Sequence, residues 1–196
     1  MTRRLRYIWN MYGLFVYLKR AVAAVCVCFA LSVAGNAQEG REAFLLEALA
    51  SAEASEIAGI LDSLREIWGQ SGSPAIDLLL RRGEEALEAG APEVAVEHLT
   101  AAVDHAPEFA AAREARARAY YQLDHVGPAL DDIRVVLALN PRHIGAMNGL
   151  ATILEDLGRI EEALAVQEKL LEMMPAAENV MAAIGQLETQ LSGRDA

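Results

Sequence analysis

An all-α solenoid of stacked helical hairpins is the fold class this sequence predicts, on three observations. Pro107, Pro141 and Pro175 are spaced by 34 residues; Ala95, Ala129 and Ala163 each stand 12 residues before one of them, and the small residues Gly83, Ala117 and Ala151 stand 24 before. Separate positions holding one period across three units mark a repeated supersecondary element that buries its apolar face against its neighbours. The composition agrees: Ala, Leu and Glu are plentiful, while 14 Gly, 6 Pro and 6% aromatic residues leave little for strands and turns. Finally, 54% hydrophobic against 23% charged residues is too apolar for a disordered chain, and 196 residues allow one domain with an appendage.

The chain opens on a segment of different character. All its basic residues, Arg3, Arg4, Arg6, Lys19 and Arg20, precede an uncharged run from Ala21, and no acidic residue occurs before Glu39. A basic region, an apolar core and small residues at Gly35 and Ala37 are the layout of a secretory signal peptide, with cleavage expected after Ala37. The other reading is an uncleaved anchor in which the apolar residues 7–18 join the second run; that run alone is shorter than the roughly 20 residues a spanning helix needs. Cys26 and Cys28 both lie in this leader, so the exported domain would contain no cysteine and no disulfide. No Asn-X-Ser/Thr sequon occurs either, and the expected compartment is a bacterial periplasm. Residues 38–196 carry 12 basic and 28 acidic residues, a net charge of −16. Such a surface repels nucleic acid.

Residues 38–72 keep neither the proline nor the alanine step, yet predict two helices, Arg41 to Ser51 and Ala54 to Trp68. Solenoid ends must cover one apolar face, so this pair is expected to cap the front of the array through Phe44, Leu45, Ala48, Leu49, Ile57, Ile60, Leu61, Leu64 and Ile67. A docking site of Trp68 with the Ser71-Gly72-Ser73 loop is the other use of this region. Ser73 then serves as N-cap with Pro74 at the first helical position. Three hairpins follow at 73–107, 108–141 and 142–175. Their helices are predicted at 76–89 and 93–106, 110–123 and 127–140, and 144–157 and 161–174. The small residue at the eighth position of each first helix lets the second helix come close, with the alanine of that helix facing it. Proline ends each unit because it lacks an N–H donor and restricts the residue before it. The last segment, 176–196, is a closing helix from Glu178 and a tail.

The period together with Gly83, Ala95, Ala102 and Pro107, then Ala117, Tyr120, Ala129 and Pro141, then Leu150, Ala151, Gly158, Ala163 and Pro175, resembles tetratricopeptide repeats over residues 76–175. The resemblance implies a right-handed superhelical solenoid of helix-turn-helix repeats with N- and C-terminal capping helices. Leu79, Arg113 and Met147 stand where the family favours tryptophan, and Arg82 and Arg116 where it favours leucine. These departures put the packing of the first two units in question.

Chemistry is sparse. His98 and His105 are seven apart, the wrong step for a metal pair on one helix, and read as surface or cap histidines, while His125 and His143 fall in inter-helix turns. No nucleophile elbow and no phosphate-binding glycine loop occurs. The acidic pairs Glu84-Glu85, Asp131-Asp132, Glu155-Asp156 and Glu161-Glu162 read as solvated helix faces. No catalytic residue, metal ligand or cofactor is therefore expected. What remains is the groove that the resemblance implies, lined by the first helix of each repeat. Its predicted positions are Asp77, Leu80, Arg81, Glu84 and Leu87; then Glu114, Arg118, Tyr121 and Gln122; then Asn148, Thr152, Glu155 and Asp156. Relatives that grip a terminal carboxylate use Lys, Asn and Arg where this chain has Leu80, Glu84, Ala115, Gly145 and Gly149, so no such clamp is expected. The predicted function is a non-catalytic exported adaptor holding a segment of another envelope protein. A membrane-tethered assembly subunit is the alternative if the leader stays attached, and a small enzyme or metal carrier is the third. Nothing here fixes the oligomeric state.

Overall fold

A computed structural model describes residues 40–194. The leader and its proposed cleavage site fall outside the described residues. The chain divides into two compact units, residues 1–44 and 45–196. Of the first, residues 40–44 are described and are helical, and Phe44 is exposed rather than part of a core. The second unit is helical throughout, with no strand among the described residues. Its elements are α1 (40–51, of which 45–51 belong to this unit), α2 (Ala54–Trp68), α3 (Pro74–Glu88), α4 (Pro92–His105), α5 (Ala110–Gln122), α6 (Val126–Leu139), α7 (Ile144–Asp156), α8 (Ile160–Met173) and α9 (Glu178–Arg194). Each predicted helix is present with ends shifted by one or two residues, apart from the longer closing helix.

The 34-residue step is written into both turns of the unit. Each first helix ends on a residue with left-handed backbone: Gly90 (φ 70), Asp124 (φ 58) and Gly158 (φ 71). The next amide then bonds back to a carbonyl five residues earlier, Ala91 to Ala86 at 2.9 Å, His125 to Tyr120 at 2.9 Å and Arg159 to Leu154 at 2.8 Å, closing the helix in a Schellman geometry. Between repeats, the amides of Phe109, His143 and Ala177 bond the carbonyls of Ala106, Asn140 and Met174 at 3.0–3.1 Å. These are four-residue turns with Pro107, Pro141 and Pro175 in the second place, where a fixed φ of about −65° fits. At the front of α3, Ser73 occupies the cap position without a capping side-chain bond. Instead Asp77 accepts from the Ser71 amide at 2.8 Å and from its hydroxyl, which ties the Ser71 loop to the first turn.

Within each hairpin the helices pack side by side, and each second helix packs on the first helix of the next unit. Gly83 is needed for the first crossing: a Cβ there would lie 2.4 Å from Leu99 Cγ on α4. Leu99 is thus the residue nearest Gly83, and Ala95, the expected partner, is fully buried in the same core with Leu80, Leu87, Ala102 and Phe109. Ala117, Ala129, Ala151 and Ala163 are likewise buried, and Tyr120 packs against the core of Ala117, Ala129, Ile133 and Ile153.

Two departures from the repeat pattern explain each other. Arg113 and Arg116 on α5 both bond Asp132 on α6, through Arg113 Nη1 at 2.9 Å, Arg116 Nε at 2.7 Å and Arg116 Nη2 at 2.8 Å. Asp132 is 3% exposed, so it is a buried anion held by two cations and not half of a solvated acidic pair; Asp131, beside it, is exposed. Arg116 also approaches Thr100 Oγ1 at 3.3 Å and lies over the Tyr120 ring at 5.7 Å. An ionic link thus replaces part of the apolar packing between these helices.

The N-terminal pair is not a front cap. Leu46 and Leu49 of α1 and Ile57 and Leu64 of α2 share one apolar core with Ile144 and Met147 of α7, and with Leu170, Met174, Ala177 and Val180 at the α8–α9 junction. Of the apolar set foreseen as the front cap, Leu45, Leu49, Ile57, Ile60, Leu61 and Leu64 belong to this core at the far end of the array, and α2 lies across the larger opening from α3, α5 and α7.

Candidate partner-binding face

The first helices of the three hairpins, α3, α5 and α7, lie next to one another and form one inner face. It holds two openings. The larger, about 500 Å³, lies between α2 and this face, with Asp62, Arg65 and Trp68 on one wall and Arg81, Glu84, Glu114, Arg118 and Asn148 on the other. The smaller, about 340 Å³, lies between α5 and α7. Ala117, Ile133, Gly145, Ala146, Gly149 and Ile153 make its floor, and Arg118, Tyr121, Asn148 and Thr152 its rim. Glycine creates this space: a Cβ at Gly149 would sit 3.5 Å from Ile133, and one at Gly145 only 3.2 Å from Glu114 Oε1.

The predicted groove residues separate into two groups. Arg81, Glu84, Arg118, Tyr121, Asn148 and Thr152 line one opening or both. Leu80 lines the larger one but is buried, with its Cδ2 near the backbone of Gly69 at the end of α2. Leu87 is buried in the core between α3, α4 and α5, which removes it from the face. Gln122 is exposed and lines neither opening, and Glu155 accepts from Gln190 Nε2 of α9 at 2.9 Å. The Tyr121 hydroxyl donates to Asp156, a bond that raises the phenol above its ordinary range. Thr152 donates to the Asn148 carbonyl within its own helix.

Electrostatically, the centre of the face is a guanidinium between two carboxylates. Arg118 Nε lies 3.2 Å from Glu114, and its Nη2 lies 3.9 Å from Glu84. Burial pushes both carboxyls above the usual range, and Arg118 and then Arg65 across the cleft oppose the shift. Among the described residues no group of three or more His, Cys, Asp or Glu could hold a metal, and no helix is long and apolar enough to cross a membrane. His98 is half-buried on α4, and His105 and His125 are exposed.

His143 is the site residue that sequence reading missed. It caps α7: its Nδ1 accepts from the Ala146 amide at 3.2 Å. Its ring stacks on Trp68 of α2, with centroids 4.4 Å apart and planes at 22°. Because Nδ1 accepts, the proton of the neutral ring sits on Nε2, which is buried with no hydrogen-bond partner among the described residues. Burial lowers the imidazole from 6.5 to about 4. A histidine in a turn after Pro-Arg carried no sign of this; the Trp68 ring that stacks on it comes from α2.

No protein-family model matches the chain. A tetratricopeptide repeat-containing protein of Rhizobium etli is 29% identical over 136 residues, which are 69% of this chain and 67% of that protein. The first repeat domain of Spaghetti (RPAP3), solved with the HSP90 peptide SRMEEVD, superposes with a TM-score of 0.58 at 23% identity, over 61% of this chain and 95% of the other. The chain has the fold of a tetratricopeptide-repeat array. MamA gives a TM-score of 0.57 at 23% identity over 70% of this chain and 82% of its own. At these identities the structural likenesses carry the fold, and the tetratricopeptide hairpins here correspond to α3–α4, α5–α6 and α7–α8.

Proposed function

We propose that this tetratricopeptide protein is a non-catalytic adaptor, exported behind its leader to the periplasm, that holds a segment of another envelope protein on the α3–α5–α7 face. The observation that carries the reading is the opening between α5 and α7. A pocket of about 340 Å³ with an apolar floor and a hydrogen-bonding rim of Arg118, Tyr121, Asn148 and Thr152 suits one aliphatic side chain flanked by polar backbone. Arg and Tyr are the residue types that most often anchor such contacts. The peptide bound by the Spaghetti domain is acidic. Here the larger opening is lined by five carboxylates, Asp62, Glu66, Asp77, Glu84 and Glu114, against Arg65, Arg81 and Arg118, which favours a neutral or basic segment. The leader pattern, not the fold, supports the compartment.

The test is co-purification of the tagged chain from its native envelope, with captured proteins identified. Gly149→Leu fills the pocket, and Arg118→Glu with Tyr121→Ala alters its rim. The reading expects a specific protein retained by the wild type and lost from both variants, each shown to be helical and cooperatively folded. Equal retention by all three would remove the face from the account.

A further inference from the structure

The inner face already has an occupant at one end. α2 stands outside the 34-residue period, so no repeat geometry obliges it to lie where it does. Its buried side chains Ile57, Leu64 and Ile67 recur at i, i+7 and i+10, one stripe of a helix. Ile57 and Leu64 enter the core of α7, α8 and α9, and Trp68 covers His143 at the start of α7. On the next strip of its surface Arg65 faces Glu84 and Glu114 across the larger opening.

The seat is incompletely made. A cleft of about 500 Å³ stays open between α2 and α3, α5 and α7. The Nε2–H of His143 is buried beneath the stack with no acceptor among the described residues, and a buried donor left unpaired favours any state in which water reaches it. The connection to α3 is only residues 69–73, with Gly72 at φ 81. Asp77 pins Ser71 to the first turn of α3, so movement of α2 pivots within residues 69–72 and leaves the repeats in place.

From this we infer that α2 is an exchangeable ligand of its own chain, and that the outside partner which replaces it is an amphipathic helix. That helix carries an aliphatic stripe at i and i+7, an aromatic residue four positions after the stripe's second member, and a basic residue beside it for Glu84 and Glu114. The spacing is that of Leu64, Trp68 and Arg65. The inference rests on the proposed use of this face and names the class of partner; the α5–α7 pocket remains open whichever helix holds the seat.

The probe is a synthetic, isotopically heavy peptide of residues 53–70, with a scrambled peptide as control, added to the full chain. In wild-type protein the tethered helix competes, so binding is weak; in Leu64→Asp with Trp68→Ala the seat is vacated and affinity rises tenfold or more, the ratio set by how fully α2 is docked. Saturating peptide on wild type should speed amide exchange in 57–67 while amides 146–152 stay protected. Glu84→Gln with Glu114→Gln should weaken the peptide in the vacated variant. Cooperative unfolding of the variant's repeats is checked first; if it does not fold, exchange in the wild-type chain alone decides. Equal affinity for both chains, equal binding of the scrambled peptide, or no change in α2 exchange at saturation overturns the inference. So does a concentration-dependent dimer in place of peptide binding, since a second copy's α2 would then be the occupant. Partner capture that still depends on Gly149 would show that the adaptor reading survives such a failure.

Discussion

Replacing Asp132 by alanine is the sharpest test of the packing described here. The carboxylate is buried and accepts three bonds of 2.7–2.9 Å from Arg113 and Arg116, whose side chains are only 16% and 13% exposed. Removing one partner of a buried pair costs about 3–5 kcal/mol, because the charge left behind has lost both water and its counter-ion. Arg113 keeps its 2.7 Å bond to the Pro107 carbonyl and Arg116 its contact with Thr100, which places the expected loss near the low end, at about 3 kcal/mol. For a domain of this size that lowers Tm by roughly 6–12 °C. Urea unfolding followed by circular dichroism measures it, with Asp131→Ala as the exposed control at under about 0.5 kcal/mol. Changing Asp132, Arg113 and Arg116 together to leucine should recover most of the loss, since apolar replacement of a whole buried network is often neutral or stabilising. A loss for Asp132→Ala no larger than for Asp131→Ala would refute the reasoning.

Other outcomes follow from the same coordinates. Gly83→Ala should destabilise by about 1–3 kcal/mol, because the added Cβ meets Leu99 at 2.4 Å; a gain of about 1 kcal/mol, as helix propensity alone gives, would count against the crossing. Asp124→Gly should stabilise by about 0.5–1 kcal/mol in thermal unfolding by relieving a left-handed φ of 58. His143 stays neutral while α2 is seated, so its contribution to the seat is fully present above pH 6.5 and is lost as pH falls toward about 4. The full loss is about 3 kcal/mol; an NMR titration of the ring should show a midpoint well below 6, and one near 6.5 would mean that the ring is not buried.

The hairpins were legible because their signals are local. Proline in a turn, a small residue at a crossing and a left-handed residue after a helix act at their own positions, and each recurs at the 34-residue step. The buried charge was not legible, because an Asp-Asp pair on a helix looks solvated until its partners 16 and 19 residues away are known. There was a usable sign: arginines at two positions where the resembled repeat wants leucine and tryptophan call for a buried acid in reach. The location of α2 was hidden for a different reason. An amphipathic stripe records that a helix buries one side, not against what, and Ile57, Leu64 and Ile67 would look the same under a front cap. With α2 misplaced, Leu80, which lies under its end, was assigned to open groove, and His143 was read as an inter-helix turn residue with no partner from α2. Arg118, Tyr121, Asn148 and Thr152 were correctly placed on the inner face because they sit on the repeat register itself.

The account turns most on where α2 rests, and one spectrum reads that directly. Nuclear Overhauser contacts between the Trp68 indole and the His143 ring should be strong at neutral pH, as a centroid distance of 4.4 Å requires. Their absence, with Trp68 instead contacting α3 or α4, would place the helix at the front of the array and contradict the arrangement of the inner face.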